Sequence, residues 1–123
     1  MQHDLCRQLV ITGATAPVAR AFTQAVALEP DERVTALEVL VLSTSAAMST
    51  GIEVKLYGSQ DLTSGSTALA TATPKITAGP ARAAVTGDDL SGPWRYVRAI
   101  IEAEDAGGAS AMVAVSVRTT RIG

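Results

Sequence analysis

The sequence predicts an all-β fold, a single antiparallel β-sandwich of jelly-roll type. Three observations carry that expectation. Short segments of alternating apolar and polar residues recur along the chain. Glycine, proline, aspartate and serine separate them at close intervals, as turns require. No segment sustains the apolar spacing of an amphipathic helix. At 123 residues the chain has the length of one domain, and area scaling allows about two-thirds of its surface to be buried. A hydrophobic content of 47% with 18% charged residues is too apolar for disorder and too lightly charged for a long solvated helix.

The elements follow in order. Leu5 to Ile11 is a short strand-like run ending at Thr12-Gly13. Residues 1–12 therefore form either an N-terminal strand or an arm, with Leu5, Leu9 and Val10 as the residues an arm would offer. Residues 13–123 form the sandwich. Ala14 to Gln24 reads as extended, and Glu29-Pro30-Asp31-Glu32 as an acidic turn. Val34 to Leu42 is rich in apolar and β-branched residues, which favours a strand buried on both faces. Ser43 to Gly51 is a loop of small residues. Ile52 to Tyr57 alternates, with Ile52, Val54 and Leu56 directed inward.

Gly58-Ser59-Gln60-Asp61 closes that strand in turn chemistry. Thr63 to Thr73 is a small-residue strand or an ordered loop. Pro74 and Gly79-Pro80 then favour an edge position. Ala81 to Val85 is a short strand, and turns follow at Thr86-Gly87-Asp88-Asp89 and Ser91-Gly92-Pro93. Trp94 to Ala103 is a strand with Val97, Ala99, Ile101 and Ala103 on one face. Ala109 to Thr119 is another, with Ala111, Val113, Val115 and Val117 on one face. Gly107-Gly108 between them predicts an antiparallel hairpin.

The rare residues exclude several chemistries. A single cysteine, Cys6, leaves no intrachain disulfide and no cysteine-based metal cluster. It is expected to pack as a small apolar residue. The single histidine, His3, is expected in a solvated tail, which removes the usual acid–base catalyst. The formal charge of −2 offers no attraction to nucleic acid or to an anionic membrane. No secretory leader and no apolar run long enough to span a bilayer is visible. The expectation is a non-enzymatic protein without cofactor or metal, made in the cytoplasm.

The paired carboxylates Asp31/Glu32, Asp88/Asp89 and Glu104/Asp105 read as turn formers, with a calcium site at Asp88-Asp89 as the alternative. Arginines cluster late, at Arg95, Arg98, Arg118 and Arg121. In the predicted hairpin, Arg98 and Arg118 share a face with Glu102. That arrangement is either cross-strand charge pairing or a patch that grips acidic groups of a protein partner. Trp94, Tyr96 and Tyr57 cap the core, anchor an interface or form a sugar-stacking platform. The candidate partner-binding residues are thus Trp94, Arg95, Arg98, Arg118, Arg121 and Tyr57.

The order of the strand, the Gly58-Ser59-Gln60-Asp61 turn, the Thr/Ser/Ala-rich stretch, Ser91-Gly92-Pro93-Trp94-Arg95-Tyr96-Val97-Arg98 and the C-terminal valine strand resembles small β-sandwich virion proteins of tailed bacteriophages. The resemblance covers roughly residues 34–119. It implies a capsid decoration (cement) protein that binds the major capsid protein on the virion surface, as a trimer or dimer. It also admits a tail or connector subunit. Arg95-Tyr96-Val97-Arg98 is similar as well to discoidin-type carbohydrate-binding domains, which implies a glycan-binding module.

Overall fold

The computed structural model describes residues 1–61, 67–69, 72–86, 90 and 92–122. Nine strands form among them. They are β1 (Gln2–Thr12), β2 (Ala19–Phe22), β3 (Val26–Ala27), β4 (Glu32–Thr44), β5 (Gly51–Ser59), β6 (Thr67–Ala68), β7 (Ala81–Thr86), β8 (Tyr96–Glu104) and β9 (Ser110–Arg121). The first sheet has the order β1-β9-β4-β7 and the second β2-β8-β5-β6, with β3 also paired to β8. Every strand pair is antiparallel. The pairs β1·β9, β2·β8, β4·β7 and β5·β6 are nested in sequence, as when one long hairpin is wrapped around a core. That is jelly-roll topology.

The core lies between the inner faces of the two sheets. Leu37, Val39, Val41, Val113, Val115 and Val117 from the first sheet meet Ile52, Val54, Leu56, Ala99 and Ile101 from the second, all essentially inaccessible to water. Burying each large aliphatic side chain is worth about 1.5–3 kcal/mol. Val34 to Leu42 departs from its expected burial on both faces. After a register shift that buries both Ala36 and Leu37, its side chains alternate: Glu38 and Leu40 point outward, and Leu40 is 38% exposed. The apolar run arises because this central strand places leucines on its outer face too.

The predicted hairpin does not form. β8 belongs to the second sheet and β9 to the first, so residues 105–109 bridge the two layers. The inward faces of the two strands are those expected, but they oppose one another across the core. Period-2 alternation fixes which face is buried and is the same for strands side by side or face to face. Asp105 holds the crossing. Its Oδ2 accepts the Ala109 N–H at 2.7 Å, and Oδ1 accepts the Ser49 N–H at 2.9 Å and hydroxyl at 3.1 Å. These bonds, the Ala109 one foremost, lower the pKa of its carboxyl. Gly108 completes the turn at a φ of +70°, a region that favours glycine.

The N-terminal residues form β1, which pairs along β9 from Gln2↔Arg118 to Thr12↔Ser110 with two register shifts. Leu5 is buried, Leu9 packs against the core and Val10 is 62% exposed. The Cys6 thiol is half-buried and donates to the Val113 carbonyl at 3.7 Å, and burial raises its pKa.

His3 is not a solvated tail residue. Its Nε2 lies 2.6 Å from Glu32 Oε2. Glu32 is not a solvated turn residue either, being only 1% exposed. It also accepts the Thr119 hydroxyl and, at 3.0 Å, the Glu29 N–H. The reason is topological, since β1, β4 and β9 meet at one end of the first sheet. A buried carboxylate there is tolerated because its oxygens are hydrogen-bonded.

Burial alone would raise the Glu32 pKa; the bonds from Thr119, Glu29 and His3 overcome it and lower the pKa from 4.5 to about 2. Its contribution is therefore complete above pH 4.5 and is lost as pH falls through about 2, because the unfolded chain takes up the proton first. That difference corresponds to about 3 kcal/mol. We expect chemical-denaturation midpoints to fall steeply between pH 5 and pH 2, and the Glu32→Gln variant to lose most of this dependence. Equal acid sensitivity in both proteins would contradict the assignment.

Candidate partner-binding face

The outer face of the second sheet brings together residues from three strands. On β8, Tyr96, Arg98, Ile100 and Glu102 alternate with the buried Val97, Ala99, Ile101 and Ala103. On β5, Glu53, Lys55 and Tyr57 are the outward set. On β2, Ala19 and Ala21 pack against the core, so Arg20 and Phe22 face out. Register places Phe22 across from Ile100 and Tyr57 across from Arg98. Adjacent strands are about 4.8 Å apart and the two positions are offset by two residues along β8, so Phe22 and Tyr57 flank it diagonally at about 12 Å.

Two halves of this face differ in character. Toward the Glu102 end the charges satisfy one another. Lys55 Nζ lies 3.2 Å from Glu102 and 3.7 Å from Glu53, and Arg20 Nε lies 3.7 Å from Glu102. The bond to Glu102 raises the Lys55 pKa. Toward the Tyr96 end the face is aromatic. The Arg98 guanidinium carbon sits 5.1 Å from the Phe22 ring centroid, and that of Arg95 lies 5.8 Å from the Tyr96 ring. Such contacts are worth about 0.5–1 kcal/mol when exposed. Phe22 remains 57% exposed. A large aromatic, an arginine and a tyrosine clustered diagonally across three strands are the residue types that dominate interface energetics.

The structure separates the other candidates. Arg118 lies on the first sheet, where its Nε is 3.1 Å from Glu38. It does not share a face with Arg98 and Glu102, because β8 and β9 lie in different layers. Arg121 pairs with Asp31 at 2.9 Å near the end of β9. Asp88-Asp89 lies outside the described residues. Trp94 precedes β8 and packs against the core. Its indole lies over Gly58 and Gly92, and a Cβ on Gly58 would stand 2.5 Å from the indole Cδ2. Gln60 Nε2 donates to the Pro93 carbonyl at 2.9 Å and ties this corner together. Phe22 was missed in the sequence. The alternation Ala19-Arg20-Ala21-Phe22 was its signal, hidden by the small residues that fill the inward positions.

No protein-family model matches the sequence, and comparison with curated proteins finds no match. Among solved structures, the fold is similar to a chain in the structure of infectious bursal disease virus, Gx strain. The TM-score is 0.59 at 13% identity, covering 100% of this chain and 32% of that one. A chain of the Gt strain is similar at a TM-score of 0.46 and 12% identity, covering 98% and 32%. A family 16 carbohydrate-binding module is similar at 0.47 and 16%, covering 93% and 76%. The first of these likenesses is one of fold, and this chain spans about a third of the viral chains.

Gly58→Ala places a methyl group against the indole of the single tryptophan. We expect a loss of about 1–3 kcal/mol from overpacking, with a red-shifted and more quenchable Trp94 emission. Unchanged emission and stability would show that Trp94 does not depend on this contact.

Proposed function

We propose that this chain is a non-enzymatic structural protein of a virion, a decoration or cement subunit that docks on assembled capsid through the Phe22–Arg98–Tyr57 cluster. The exposed Phe22 beside Arg98 carries the reading. A protein that leaves its only phenylalanine 57% exposed on a sheet face forgoes roughly half of a burial worth about 1.5–3 kcal/mol, which a partner surface can recover. The jelly roll is a fold of capsid and lectin domains, and the likeness to a chain of infectious bursal disease virus over this whole chain supports the same reading. The mechanism is mass action: a subunit that binds only assembled shell stabilises it against opening. A bacteriophage host particle, the major capsid protein as partner and a dimeric or trimeric state complete the proposal.

A glycan-binding module is the second reading, favoured by the two aromatic rings flanking Arg98 on one face. Quantitative mass spectrometry of purified particles separates the alternatives. The capsid reading expects copy numbers comparable to the main shell protein, whereas a few rings' worth indicates a tail or connector subunit. Absence from particles removes the virion reading.

Phe22→Ala is expected to weaken co-sedimentation with intact shells at least tenfold, about 1.4 kcal/mol or more. Its own melting midpoint should barely change, since the ring is largely solvated. Undiminished binding to shells would remove this face from the interface. Loss of glycan-array binding on the same substitution would favour the second reading.

A further inference from the structure

The outer face of the first sheet carries a groove of about 440 Å³. Its floor lies on β9, where Ala114 and Ser116 present short side chains between longer neighbours. Register sets Ser116 between Asp4 of β1 and Glu38 of β4, and sets Leu40 of β4 across from both Ala114 and Arg82 of β7. Arg7 from β1 and Arg118 from β9 complete the walls. Residue size alternating over four adjacent strands thus builds the depression.

Five charged groups face it: Asp4, Arg7, Glu38, Arg82 and Arg118. Glu38 Oε1 lies 3.1 Å from both Arg82 Nη2 and Arg118 Nε, and Asp4 Oδ2 lies 3.2 Å from Arg7 Nε. Each guanidinium carries five N–H donors and commits one nitrogen to these pairs among the described residues. The three arginine side chains are 56–85% exposed. Three guanidiniums against two carboxylates leave a local surplus of one positive charge on a chain whose formal charge is −2. Beyond Leu40 the same face continues through Met112 to the exposed Val10, which are register partners.

We propose that this groove binds an extended acidic and apolar peptide segment of a partner protein, its carboxylates held by Arg82, Arg118 and Arg7 and its apolar side chain against Leu40 and Ala114. Arginine suits the role because its planar fork holds carboxylate through two parallel bonds. A densely charged polyanion is disfavoured because Asp4 and Glu38 stand in the walls. In an extended segment residues i and i+2 face the same way, about 7 Å apart, which matches charged and apolar sites along one sheet face. The proposal is independent of which surface docks on the second sheet.

The test is a titration of the ¹⁵N-labelled protein with the peptide Glu-Ser-Glu-Ser-Leu-Ser, following the Nε–Hε signals of Arg7, Arg82 and Arg118. We expect saturable shifts at these signals, weakening with added salt, and at least tenfold weaker binding in Arg82→Gln/Arg118→Gln. Leu40→Ser, which leaves the ion pairs in place, should weaken the peptide and leave inorganic sulfate binding unaltered; this variant decides the matter if the double variant fails to fold. The proposal is overturned if the arginine signals stay unmoved, if the shifts map to the Phe22–Arg98 face, or if a glutamine version of the peptide binds equally well. Saturation by a sulfated oligosaccharide at lower concentration than the peptide would also overturn it, in favour of a polyanion site.

Discussion

Between Glu104 and Ser110 the chain leaves one sheet and enters the other. That crossing constrains the rest of the fold. It sets β8 and β9 face to face, so that Val97, Ala99, Ile101 and Ala103 line one side of the core and Ala111, Val113, Val115 and Val117 the other. Each strand then sits inside its own sheet, with β8 between β2 and β5 and β9 between β1 and β4. The nested pairing follows, because the segments before β8 and after the N-terminus must find partners on either side of these two strands. Asp105 makes the crossing possible by satisfying backbone N–H groups on both flanks, which an apolar residue would leave unpaired in a buried turn.

The two sheets have unlike outer faces, and the difference originates in composition. On β9 the outward positions are Met112, Ala114, Ser116 and Arg118, with the two short ones at the centre. On β8 they are Tyr96, Arg98, Ile100 and Glu102, all large. A central strand with small outward residues gives a concave surface walled by its neighbours; one with large residues gives a raised one. The groove and the aromatic cluster are thus two consequences of the same layout. Neither requires a long loop, so both are built from the strands themselves.

Much of this was legible in the sequence. Alternation in Ile52 to Tyr57 and in the last two strands identified the inward residues correctly, because a strand has a fixed side-chain period. The all-β class and the jelly roll followed from spacing and turn chemistry. What failed was pairing. Gly107-Gly108 fits a hairpin turn and an inter-sheet crossing equally well, since both ask for glycine's conformational freedom. The mistake propagated to the site: Arg98 and Arg118 were grouped only because a hairpin would have put them on one face. His3 and Glu32 were missed for a related reason. Their contact spans 29 residues of chain, and no local pattern signals a partner that topology alone supplies.

The same reasoning explains why the candidate surfaces tolerate their exposed apolar groups. Phe22 and Val10 lie on β2 and β1, and in β1 the register shifts beside Cys6 interrupt the regular edge that another chain would extend. Bulges and charges such as Asp4 and Arg7 are how sheet edges resist indiscriminate strand addition. Edges of this kind leave the faces as the surfaces for the proposed association, where side-chain chemistry can discriminate between partners. A face that must recognise one partner needs anchors of distinct shape and charge. In the roles proposed for them, the Phe22–Arg98–Tyr57 cluster and the three arginines around Ala114 and Ser116 supply such anchors through different chemistry on opposite sides of one sandwich.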